Sequence, residues 1–108
     1  MDDLPPSLQA FQKAQPRVWA AYSEMAEACS RAGPLDRKTA SLIKTGISAA
    51  ARKRTSLATN IRRALEAGAS REEIEHAIVL TATTQGFSTM MEAMAVCRSA
   101  FEAAGGSG

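Results

Sequence analysis

The sequence predicts an all-α protein of five to six helices, and three observations carry that prediction. Apolar residues recur at spacings of three and four along most of the chain, helix caps punctuate it, and no stretch alternates apolar with polar residues as a strand would. Hydrophobic residues make up 45% of the 108 and aromatic residues only 5%. The core must therefore come from Ala, Leu, Ile, Val and Met, side chains that suit close helix packing. The length fits one domain over residues 1–108, with an ordered core at 14–104 and a glycine-rich tail at 105–108.

Taken in order, a short helix is expected from Ser7 to Lys13, and Pro16 suits the first position of the next. There Val18, Trp19, Tyr22, Met25, Ala26 and Cys29 share one face until Gly33-Pro34 stops the helix. Asp36 can cap a third helix, whose apolar positions Ala40, Ile43, Ile47 and Ala50 follow the helical period. The basic run Arg52-Lys53-Arg54 marks a break or bend. Leu57, Ile61, Ala64 and Leu65 then mark a helix that ends at Gly68, a residue free to adopt the left-handed conformation.

Ser70-Arg71-Glu72-Glu73 is a capping box, in which the serine hydroxyl accepts from the Glu73 amide and the glutamate accepts from the serine amide. The helix it opens has Ile74, Ala77, Ile78, Thr81 and Ala82 as its inner stripe and Gly86 at its end. Ser88 or Thr89 is expected to cap a last helix carrying Met91, Met94, Ala95, Cys97 and Phe101. Val79 and Leu80 fall off the inner stripe, and Met90 is apolar beside Met91. Apolar residues on more than one face of a short chain point to surface covered by another subunit, or to scattered exposed residues on a monomer.

Charge names no partner. Thirteen Lys plus Arg against eleven Asp plus Glu leave a net charge of +2, and the cluster Arg52, Lys53, Arg54, Arg62, Arg63 lacks interleaved aromatics and is followed by Glu66, Glu72, Glu73 and Glu75. Nucleic-acid binding is not expected. The start Met1-Asp2-Asp3-Leu4-Pro5-Pro6 lacks the basic-then-apolar pattern of a secretory signal, and no apolar run approaches a membrane span, so a cytoplasmic protein with no membrane partner is expected. Cys29 and Cys97 are then read as buried thiols rather than a disulfide. His76, the one histidine, lies off the inner stripe without companion ligands, so no metal or other cofactor is expected and the ring is placed in solvent or at a subunit contact. Met90, Met91 and Met94 read as core or interface filling rather than as an apolar pocket.

The stretch Leu35–Ala50, Leu-Asp-Arg-Lys-Thr-Ala-Ser-Leu-Ile-Lys-Thr-Gly-Ile-Ser-Ala-Ala, followed by Asn60–Ile74 with its Ala-Leu-Glu-Ala-Gly-Ala cadence and Ser-x-x-Glu-Ile cap, resembles the alkylhydroperoxidase D-like and carboxymuconolactone decarboxylase superfamily. The similarity runs from about Leu35 to Phe101. It implies a helical fold that assembles as a homo-oligomer, a trimer or hexamer. Thiol-active members carry a glutamate before a Leu-Ile pair, then a Cys-x-x-Cys and a histidine, which reduce peroxide and relay protons. On this chain those positions are Ser41, Lys53, Ser56 and Asn60.

None of the four keeps the chemistry. Peroxide reduction needs a thiolate to attack oxygen and a second thiol to resolve the sulfenic acid. The decarboxylase branch lacks the paired cysteines but usually keeps the histidine, and an asparagine amide does not titrate. Lys53 can bind a carboxylate, act as a base if burial lowers its pKa, or stand exposed where Arg52–Arg54 complement a helix dipole. One expectation is thus a homo-oligomer with a degenerate site that binds a small molecule, or acts as a non-redox enzyme, in a pocket lined by Ser41, Lys53, Ser56 and Asn60. Another is a non-catalytic oligomeric interaction module. The third is a thiol peroxidase working through Cys29 or Cys97.

Overall fold

A computed structural model describes residues 6–105, and among them are six α-helices, one 3₁₀ turn and no strand. The chain divides into two compact units with the boundary between Pro34 and Leu35. The proline-bearing start at 1–5 and the tail at 106–108 lie outside the described residues.

The first unit is a pair of helices, α1 (Pro6–Ala14) and α2 (Pro16–Ser30), with Pro16 opening α2 as its missing amide hydrogen predicts. The Trp19 and Tyr22 rings lie 5.7 Å apart on α2. Neither helix buries a residue, because two short helices have too little surface to enclose a core. Val18, Tyr22 and Met25 stay about half exposed. Cys29 is exposed as well, which corrects the expectation that both thiols are buried.

Near the start of the second unit the Asp36 carboxylate accepts from the Thr39 amide at 2.7 Å and opens α3 (Arg37–Ala50). α3 ends in a Schellman closure in which the Lys53 amide bonds the Ser48 carbonyl and the Arg52 amide the Ala49 carbonyl. Arg52 takes the left-handed position with φ 59°, a conformation that disfavours a side chain by about 1–2 kcal/mol. Its guanidinium forks onto Glu92, Nε to Oε1 at 3.1 Å and Nη2 to Oε2 at 2.5 Å. α4 (Arg54–Glu66) ends in the same closure, with Gly68 at φ 96° and the Ala69 amide on the Ala64 carbonyl.

The capping box at Ser70 is complete: Ser70 Oγ accepts from the Glu73 amide at 3.1 Å, and Glu73 Oε1 accepts from the Ser70 amide at 2.9 Å. It opens α5 (Arg71–Val79), which tightens into a 3₁₀ turn at Leu80–Thr83. The α-helix is thus shorter than its apolar stripe suggests. The Thr81 carbonyl accepts the amides of Thr84, Gln85 and Gly86, which closes the turn before α6 (Phe87–Ala103). α6 starts directly from Gly86, φ 109°, without a side-chain cap, so Ser88 and Thr89 do not take the expected role.

α4 supplies Leu57, Ile61 and Ala64 to a core completed by Ala49, Ile74, Ile78, Met90, Ala93, Cys97 and Phe101. Each large side chain there contributes roughly 1.5–3 kcal/mol by leaving water. Two helices are rotated from their expected phase. On α6 the buried face is Thr89, Met90, Ala93, Cys97 and Phe101, while Met91 and Ala95 face outward. On α3 the buried residues are Ser41, Thr45, Ser48 and Ala49, and the stripe of Ile43 and Ile47 is 46% and 61% exposed. Small polar side chains can face inward here because they are bonded: the Thr45 hydroxyl donates to the Ser41 carbonyl at 2.8 Å. No buried side-chain polar atom among the described residues lacks a partner.

Candidate functional site

The four positions singled out by their register lie on α3 and α4, and the fold gives them different surroundings. Ser41 is buried on the inner face of α3. Asn60 sits on α4 facing it, and its Nδ2 donates to Ser48 Oγ at 2.7 Å and, more weakly, to the Lys44 carbonyl at 3.4 Å. Lys53 is the residue before α4 and Ser56 lies in its first turn, and both are exposed. The structure therefore joins Asn60 to α3 and leaves Lys53 and Ser56 facing water.

Ser48 is the residue that sequence reasoning missed. It is buried, it completes the Asn60 contact, and it lies twelve positions away, so only the packing of α3 on α4 brings the two together. An amide donating to a hydroxyl at hydrogen-bonding distance is a structural link: neither group titrates near neutral pH. Lys53 borders a cleft shared with Arg52, Thr89 and Glu92, whose volume is about 10 Å³, room for about one water molecule. Ser41, Ser56 and Asn60 line neither that cleft nor the larger groove.

The larger groove has a volume of about 600 Å³ and runs along the outer face of the unit. α3 supplies Leu42, Ile43, Gly46 and Ile47 to one wall, and α5 with its 3₁₀ turn supplies Ala77 and Leu80 to the other. Its polar groups are Thr39, Glu73, His76, Thr81 and Thr84. Of these, Thr81 donates to the Ile78 carbonyl at 2.7 Å and Thr84 to the Thr81 carbonyl at 3.3 Å. Glu73 is held by the Lys38 ammonium at 2.9 Å and by the Ser70 amide, which together lower its pKa below 4.5. His76 is exposed at the groove, as its place off the inner stripe predicted.

The thiols divide by environment. Cys97 is buried in the core, and loss of water, reinforced by the nearby Glu75 carboxylate and opposed by Arg71, pushes its pKa up to about 11. Such a thiol is almost wholly protonated at neutral pH, about one thiolate in ten thousand, which is the wrong state for attack on peroxide. Cys29 is exposed on the other unit, and both cysteines are free. Among the described residues no three His, Cys, Asp or Glu side chains come together as a metal site, and no helix is long and apolar enough to cross a membrane.

The sequence model of the carboxymuconolactone decarboxylase family matches residues 16–99, from the start of α2 into the last turns of α6. No curated protein matches the chain.

Proposed function

This chain belongs to the carboxymuconolactone decarboxylase family, and from that premise we propose that it works as a homo-oligomeric interaction module from which thiol and proton-relay catalysis has been lost. The observation that carries this reading is the Asn60 to Ser48 hydrogen bond, which ties the family's relay position into the packing of α3 on α4. A side chain locked into helix packing, with Lys53 and Ser56 standing in water beside it, encloses no space where a substrate could react. Assembly is supported by the opposite face of α3, where Ile43 and Ile47 meet solvent in place of a core.

The test is direct. Hydrogen peroxide and an alkyl hydroperoxide, each supplied with dithiothreitol as reductant, should be consumed no faster by the wild-type protein than by Cys29→Ser/Cys97→Ser. Carboxymuconolactone should release no carbon dioxide above the buffer rate. Peroxide turnover that disappears in the double variant, or enzyme-dependent decarboxylation, would end the non-catalytic reading.

A second reading has its own observation. A groove of about 600 Å³ falls within the roughly 300–1,000 Å³ typical of ligand sites, and its lining suits an apolar small molecule near His76 rather than a ligand held by Ser41, Lys53, Ser56 and Asn60. That reading expects a small molecule to co-purify and to be released on denaturation, seen by mass spectrometry of the native and unfolded protein.

A further inference from the structure

We draw no further inference here: the strongest candidate, the apolar groove between α3 and α5 bordered by Ile43, Ile47, Leu80 and His76, has its one carboxylate, Glu73, already paired with Lys38, and nothing in the structure shows what covers it.

Discussion

Replacing Asn60 by alanine tests whether this side chain is a packing residue that joins α4 to α3. The Nδ2 group donates to Ser48 Oγ at 2.7 Å, and Ser48 is only 6% exposed. A neutral hydrogen bond of this kind contributes about 0.5–1.5 kcal/mol, and leaving its buried partner without a donor raises the loss to about 1–3 kcal/mol. The longer contact to the Lys44 carbonyl at 3.4 Å adds little. For a chain of this size the melting temperature should fall roughly 4–8 °C per kcal/mol. Urea denaturation of wild type, Asn60→Ala, Ser48→Ala and the double variant forms a cycle whose coupling energy should be about 1 kcal/mol. Additive single effects, with no coupling, would refute the structural role assigned to this pair. So would an Asn60→Ala protein as stable as wild type.

Three further outcomes follow from local features. Ser70→Ala removes the hydroxyl that caps α5 and should lower stability by about 1 kcal/mol in urea denaturation, whereas Ser70→Asp should retain most of it; equal losses in both would contradict the cap. Glu73 has its pKa lowered by Lys38 and the Ser70 amide, so it binds its proton more weakly folded than unfolded. Its contribution is therefore present above pH 4.5 and lost as pH falls below that value. Acid unfolding of Glu73→Gln, followed by circular dichroism, should depend less on pH in that range than the wild type does. At neutral pH a disulfide reagent should titrate Cys29 at once and Cys97 only on unfolding, because one thiol is exposed and the other is buried and protonated; rapid labelling of both would show that the core opens far more readily than its packing implies.

The features legible in the sequence are those written within one turn of helix. Asp36 with Thr39, Ser70 with Glu73, and Gly68 after Ala64-Leu65 each join atoms three to five residues apart, so residue type and spacing suffice to read them. The inner stripe of α4 was legible too, as were Ile74 and Ile78 on α5, because these side chains pack on the core, whereas Ala77 of the expected stripe lines the outer groove. The stripe of α3 was misleading for the opposite reason. Periodicity shows that Ile43 and Ile47 share a face, but not that this face turns outward; that depends on α4 lying against Ser41, Thr45 and Ser48. α6 differs for a similar reason, since its packing on the core turns Met90 and Ala93 inward and Met91 and Ala95 outward while Cys97 and Phe101 keep their expected places.

Sequence alone determined that this chain is all helical, with side-chain caps at Asp36 and Ser70, and its resemblance to a thiol-active family implies that Ser41, Lys53, Ser56 and Asn60 fall on that family's relay positions. Residue identity fixes what those side chains can do without coordinates, because serine and asparagine neither form a thiolate nor carry a proton at neutral pH. Tertiary structure decided what the positions became. Asn60 found its partner twelve residues back on another helix, Cys97 was sealed in the core while Cys29 was left in water, and the apolar face of α3 was turned out beside α5. Each outcome depends on which helix faces which, and that is set by the simultaneous burial of the whole core rather than by any local run of residues.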